Sequence, residues 1–250
     1  MNAHTDSPFI ILETVDSTNN YAMGIIDVGL AEHGFTVMAL EQTGGKGRQG
    51  KTWLSPAGQN LMFSIIMSTD KLTIQQQFKF TAAIALACVS FIRNLLTTIT
   101  KFKVKWPNDI FINDRKAGGI LIENKIQGST WRWAVVGVGL NVNQIDFTDE
   151  LKKSATSLKM ETGNDYDLEE FGRRLSRELI TTIENLLTIS TETVMNDYNY
   201  LLFKKDEKVK LKKDNMVFET TIKSVDSSGN LITYDALERS FTVNEVSWIL

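Results

Sequence analysis

Apolar and polar positions along the chain alternate between two periods. Short β-branched or aromatic runs bounded by Gly, Asn or Asp predict strands at residues 9–12, 35–40 (FTVMAL) and 60–67 (NLMFSIIM). Ser17 or Thr18 is placed to cap a helix through NNYAMGIIDV that stops near Gly29. Residues 75–99 form the longest helical run, apolar nearly all round, which predicts a central helix. Four short pieces follow, VKW, IFI, GGILIEN and WRWAVVGVGLNVN, and read as a sheet laid on that helix. Two more helices are expected at 168–189 and 193–203. Beyond Lys204 the texture changes to short alternating pieces with turns at KKDN and DSSGN. The reading is an α+β fold: a mixed sheet packed on helices in residues 1–203, then a small β-barrel in 204–250. That second unit is too short for a large core of its own and should lean on the first.

Composition narrows the function classes. With 42% apolar residues, 23% charged residues and three prolines, the 250-residue chain has the profile of an ordinary globular protein. Its net charge of -3 gives no global pull toward nucleic acid or anionic membrane, so an anion site must come from local placement. The start of the chain has no basic, apolar leader, and the most apolar segment, residues 80–92, is too short and too polar-flanked to span a bilayer; a cytoplasmic location without membrane attachment is expected. One cysteine, Cys88 in IALACVSFI, excludes an internal disulfide and reads as a buried apolar residue. Two histidines, His4 and His33 (the latter in a turn-like AEHG), are too few for a zinc cluster or a histidine-activated nucleophile. An enzyme of this composition works by binding charge and orienting reactants.

Local charge placement is uneven. Between Gln42 and Thr69 there is no acid, while Lys46, Arg48 and Lys51 lie in the glycine-rich stretch EQTGGKGRQGKTW (41–53). From Gly45 this stretch matches the phosphate-loop pattern G-x-x-x-x-G-K-[ST], but that motif needs a helix starting at the lysine. Here TWLSPAG follows, with a proline and a glycine where helical turns should be, and then a strand. The alternatives are a solvated surface loop and a polyanion-binding loop in which Gly44, Gly45, Gly47 and Gly50 let backbone N–H groups approach a ligand. Lys116, before the Gly118-Gly119 pair, could reach a phosphate or carboxylate, or could be a surface lysine in a hairpin. Asn108 and Asp109 after Trp-Pro could form a simple turn, and Asn141 and Asn143 after Gly137-Val138-Gly139 could close a strand. That G-x-G lacks a third glycine and a following helix, so a dinucleotide fingerprint is not expected.

Six motifs in order, DSTNN (16–20), EQTGGKGRQGKTW (41–53), SPAGQNLMFSI (55–65), KWPNDIFINDRKAGGILIE (105–123), GVGLNVN (137–143) and ATSL (155–158), resemble those of biotin protein ligase, the biotin–acetyl-CoA-carboxylase ligase family. The resemblance implies a class II synthetase-like catalytic domain with an SH3-like C-terminal barrel. It also implies a two-step reaction, in which biotin and MgATP give biotinyl-5'-adenylate and pyrophosphate, and a lysine of a biotin carboxyl carrier protein then takes the biotinyl group. Ser17, Thr18 and Gln42 match biotin contacts, and Gly45, Lys46, Gly47 and Arg48 fall on the ligand loop that closes over biotin and the adenylate. Arg48 would hold the intermediate; Lys116 would sit between the biotin carboxylate and the α-phosphate as the main catalytic group. Gly119 would present backbone to biotin. Lys51, Trp53, Asn108, Asp109 and Asn141 would line the nucleotide side, with magnesium arriving on ATP and Asp109 as the candidate carboxylate near it.

The family loop usually reads G-R-G-R-x-G-R, whereas Lys46 and Lys51 stand here at its first and last arginines. Lysine keeps the charge and loses the bidentate fork. Bifunctional members carry an N-terminal helix-turn-helix domain, and 15 residues precede Asp16 here, so a ligase without DNA binding is expected. A homodimer is left open. The rivals are a lipoate protein ligase, a noncatalytic biotin-binding module, and a phosphate-loop NTPase.

Overall fold

A computed structural model describes residues 7–96 and 101–249. His4 and the tail of the helix expected over 75–99 (residues 97–99) lie outside the described residues. Strands β1 (Phe9–Val15), β2 (Thr36–Gln42), β3 (Leu61–Ser68), β4 (Phe102–Lys105), β5 (Asp109–Ile112), β6 (Arg115–Gln127) and β7 (Thr130–Leu140) form one sheet in the order β1-β2-β3-β7-β6-β5-β4. The β1–β2 pair is parallel and the other neighbours antiparallel, so the sheet is mixed as expected.

Alternation along the central strands sorts side chains between two faces. On β3, Leu61, Phe63, Ile65 and Met67 enter the main core, while Ile66 faces helix α1 (Thr18–Asp27) and packs with Ala22, Ile26, Val37 and Val135. On β7, Ala134, Val136, Val138 and Leu140 take the core side. The same register puts Gly137 and Gly139 on the α1 side, where the site is built.

The core side is covered by α2 (Gln77–Leu95), α4 (Leu168–Glu184) and α5 (Thr191–Tyr200). Helix α2 is buried on most sides, which its composition predicts. It ends at Leu95, because Leu96 is extended. Together with a preceding 3₁₀ turn it spans 22 residues, Ile74–Leu95, long and apolar enough by those measures alone to cross a bilayer. This corrects the shorter segment read from sequence; most of the helix is buried inside the fold. Helix α4 buries one stripe, Phe171, Leu175, Leu179 and Ile183, and starts at Asp167, whose side chain accepts from the Glu170 N–H at 2.9 Å. A short helix α3 (Leu158–Thr162), capped by Ser157, was not expected. His33 holds its turn in place, with Nδ1 accepting from the Ser68 N–H at 3.0 Å and Nε2 3.7 Å from Glu184.

Strands β8 (Lys208–Lys213), β9 (Met216–Val225), β10 (Leu231–Tyr234), β11 (Glu238–Phe241) and β12 (Ser247–Ile249) form a second, antiparallel sheet in the order β11-β10-β9-β8-β12, consistent with an SH3-like unit. Its apolar side chains Leu211, Ile222, Val225, Leu231 and Phe241 belong to the same continuous core as α2 and the large sheet. Trp106 Nε1 donates to Gly229 O at 2.9 Å, and Asn199 exchanges two hydrogen bonds with the Val225 backbone at 2.9 and 2.7 Å.

Candidate active site

A pocket lies on the α1 side of the large sheet, roofed by the 41–53 loop and by residues of the small sheet. Ser17, Thr18, Gln42, Lys46, Gly47, Arg48, Lys51, Trp53, Asn108, Asp109, Lys116 and Gly119 line it. Gly45 lines an adjoining depression under the loop.

One end is polar and buried. Ser17 starts α1 but makes no side-chain cap, so its hydroxyl is not engaged by the helix in the way the sequence suggested. Thr18 donates from both N and Oγ1 to Gln42 Oε1, at 2.7 and 3.0 Å. Ser64 Oγ lies 2.8 Å from Thr18 Oγ1 and 2.6 Å from Asn19 Oδ1. Asn19 in turn donates to Glu123 Oε2 at 2.7 Å. A β-carbon on Gly137 would stand 2.1 Å from Asn19 Oδ1, and one on Gly139 would stand 2.7 Å from the Trp53 indole. The paired glycines of GVGLNVN therefore admit two side chains to the sheet face.

The middle and far end carry charge. Lys116 Nζ pairs with Asp109 Oδ1 at 2.8 Å and lies 5.7 Å from the Trp53 ring centroid. Lys105 approaches the other Asp109 oxygen at 3.9 Å and sits over the rings of Phe111 and Trp248. Burial lowers the pKa of Lys105; Asp109 opposes that shift, and Lys116 and Lys51 reinforce it. Burial likewise lowers the pKa of Arg48, against the pull of Asp109. Arg48, Lys105 and Lys116 thus gather about one carboxylate with Lys51 near Lys105, an arrangement suited to a polyphosphate.

The loop is a closed hairpin. Gly47 N–H donates to Lys51 O at 2.7 Å, Lys46 bridges to Thr52, and Trp53 N–H donates to Gly45 O at 2.9 Å. A β-carbon on Gly45 would lie 2.5 Å from Trp53 O, so this position has to be glycine for the hairpin to close. A 3₁₀ turn (Arg48–Gly50) forms its tip, and non-helical chain leads from Lys51 to β3, so no helix starts at Lys51 and the loop is not a phosphate loop. The N–H groups of Gly44 and Gly47 are already bonded to backbone, unlike the ligand-facing donors expected of these glycines.

Three features differ from the sequence reading. The acid-free stretch acquires an acid in space, since Glu123 Oε1 comes within 3.9 Å of Lys46 Nζ. Asn141, expected on the nucleotide side, is buried outside the pocket lining and donates to Thr156 O at 2.9 Å. Asn19, Ser64, Lys105, Asn244 and Trp248 were not anticipated. Asn19, Ser64 and Lys105 lay inside quoted motifs; Asn244 and Trp248 carried no local signal.

Solved structures share this architecture. The biotin protein ligase of Aquifex aeolicus, in complex with biotin and ATP, superimposes with a TM-score of 0.80 over 97% of this chain and 98% of that one, at 23% identity. The Leishmania major biotin protein ligase in complex with biotinyl-5-AMP superimposes with a TM-score of 0.63 over 95% and 100%, also at 23% identity. The fold is that of the biotin protein ligases. Residues 11–141 match the profile of the Biotin/lipoate A/B protein ligase family, and the chain belongs to that family. A biotin–[acetyl-CoA-carboxylase] ligase of Paracoccus denitrificans is 32% identical over 164 residues, 64% of this chain and 67% of the relative. The bifunctional ligase/repressor BirA of Bacillus subtilis is 39% identical over 139 residues, 55% of this chain and 42% of the relative. The chain spans about half the length of the bifunctional ligase/repressor relatives it matches.

Proposed function

We propose that the protein activates biotin with ATP as biotinyl-5'-adenylate and transfers the biotinyl group to a lysine of a biotin carboxyl carrier protein. The observation that carries this reading is the position of Lys116, paired with Asp109 and stacked over Trp53 between the polar end and the cationic end of one pocket. A carboxylate held at that junction can attack the α-phosphorus of ATP, forming a C–O–P linkage as the bond to pyrophosphate breaks. Lys116 and Arg48 offset the charge gathering at the α-phosphate. In the second step a carrier lysine amine attacks the acyl carbon and AMP departs with the electron pair of the C–O bond.

Neither step needs a protein nucleophile. Cys88, fully buried, has its thiol pushed up to about 12 by burial, which supports that division of labour. Among the described residues no group of three His, Cys, Asp or Glu side chains could hold a metal. This suits magnesium that arrives on the phosphates and keeps its waters, with Asp109 able to offer one carboxylate; bound there it would neutralise phosphate charge.

A lipoyl substrate is the second reading, because the family includes lipoate ligases. Thr18, Asn19 and Gln42 favour biotin, since the amide and hydroxyl groups at this end of the pocket can re-pair with a ureido ring, whereas an apolar dithiolane offers them no hydrogen-bond partner. Residues 1–203 would form the catalytic domain and residues 204–250 the C-terminal domain, a division supported by the second sheet lying wholly beyond Lys204. The test is mass spectrometry of products formed from MgATP with biotin or lipoate, without carrier. Biotinyl-adenylate and pyrophosphate support the reading. Lipoyl-adenylate in its place moves the substrate, and ADP without any adenylate overturns it.

A further inference from the structure

Arg48 is tied to the small sheet. Its Nη2 donates to Asn244 Oδ1 at 2.6 Å and its Nη1 donates to Asn108 Oδ1 at 3.3 Å, so one guanidinium bridges two amide oxygens, one beside β5 of the large sheet and one in a turn of the small sheet. Asn108 is itself fastened to β6: its side chain donates to Ile120 O and its carbonyl accepts from the Ile120 N–H at 3.0 Å. Asn244 stands at the turn between β11 and β12 with a φ of 82°, a left-handed conformation that Asn tolerates better than most residues. That turn is also pinned. Glu245 Oε2 accepts from Thr242 N and Oγ1 at 3.0 and 3.3 Å, its other oxygen pairs with Lys213, and Val246 is buried beneath.

The loop has little else to hold it over the pocket. Its backbone bonds at Gly47 and Lys51 are internal to the hairpin, and Lys46 makes only a 3.9 Å approach to Glu123. We propose that Asn244 is a positioning residue that fastens Arg48, so that the small sheet holds residues 45–51 closed and sets how long the activated acyl group stays inside. The consequence for retention rests on the function proposed above; the fastening itself does not.

The chemistry of the acceptor matters. A neutral amide orients the guanidinium without cancelling its charge, so Arg48 keeps its attraction for phosphate oxygens. An aspartate at 244 would hold Arg48 more tightly and reduce that attraction.

Trypsin reads the fastening directly, because the loop contains cleavage sites at Lys46, Arg48 and Lys51. In the ligand-free full chain, Asn244→Gly removes the side chain and leaves the φ of 82° accessible, so the fold is kept. Loop cleavage in this variant is expected to run about tenfold faster than in wild type, on the scale of one lost hydrogen bond to a charged group. Asn244→Asp should slow cleavage below wild type while weakening ATP binding. In an Arg48→Gly background, Asn244→Gly should add no further cleavage at Lys46 and Lys51. With biotin and MgATP, Asn244→Gly should also raise biotinylation of bystander albumin. Equal cleavage of wild type and Asn244→Gly, or an additive effect with Arg48→Gly, overturns the proposal. If wild type makes no adenylate, the function reading falls while the cleavage result still decides the role of Asn244.

Discussion

Gly137 and Asn19 are a matched pair: the α1 side chain fills the space that a β-carbon at 137 would need, 2.1 Å from Asn19 Oδ1. Gly137→Ala should displace Asn19, release its bond to Glu123, and cost about 1–3 kcal/mol as an overpacked site. Biotin affinity, measured by calorimetry, should fall about tenfold or more as the buried polar cluster loses its order. Adding Asn19→Ala should recover stability without recovering affinity. Unchanged affinity in Gly137→Ala would remove this end of the pocket from biotin recognition.

Lys116 carries the chemistry in the proposed reaction without carrying the fold. Its ion pair with Asp109 involves a lysine side chain 36% exposed, so Lys116→Ala should cost no more than about 1 kcal/mol of stability. Adenylate formation, followed by pyrophosphate release, should drop about 10²- to 10³-fold. Near-normal release with an unchanged Tm would exclude the catalytic role.

Lys105 gives the site a pH signature. Burial favours its neutral amine, so its charge is lost at a lower pH than that of an ordinary lysine. If this cation attracts the phosphates, the KM for ATP should rise with pH before the usual lysine range is reached. Lys105→Arg should extend tight ATP binding to higher pH, because guanidinium stays charged there. Lys105→Met should raise KM and flatten the profile; a steep profile surviving in that variant would assign the titration elsewhere.

Lys79 is a structural cation far from this chemistry. Only 4% exposed, it donates to Leu186 O at 3.0 Å and Ile189 O at 2.6 Å, closing the chain after α4. Lys79→Met keeps the stem volume and leaves two carbonyls without their donor, which should cost about 1–3 kcal/mol. Burial lowers the Lys79 pKa in the folded state, so the unfolded chain binds the proton more readily as pH approaches 10.5. By linkage its charge is a destabilising contribution below the folded pKa, relieved as pH rises toward the unfolded value. The stability gap between wild type and Lys79→Met in denaturant titrations should therefore widen at alkaline pH, and a constant gap would refute the linkage.

Much of the fold was legible because its signals are local. The apolar runs that became β2 and β3, the all-round apolar α2 and the switch to short alternation after Lys204 follow from periods of 2 and 3.6 within each element. The rejection of a phosphate loop was legible too, since Pro56 and Gly58 deny a helix after Lys51 whatever the rest of the chain does. Strand lengths and the short helix α3 were less so, because ladder pairing, as between β6 and β7, extends a strand through residues with weak propensity of their own.

By itself the sequence determined most of the elements, the cation-rich loop and part of the pocket lining, from Ser17 and Thr18 to Lys116 and Gly119. Tertiary structure alone decided which charges meet and which side chains face inward. It set Glu123 beside Lys46, put Lys105 and Lys116 on one carboxylate, turned Asn141 toward Thr156, and joined Arg48 to Asn244. The physical reason is range: propensity acts over a few residues, whereas electrostatic and hydrogen-bond partners are chosen by strand register and by the docking of one sheet against another.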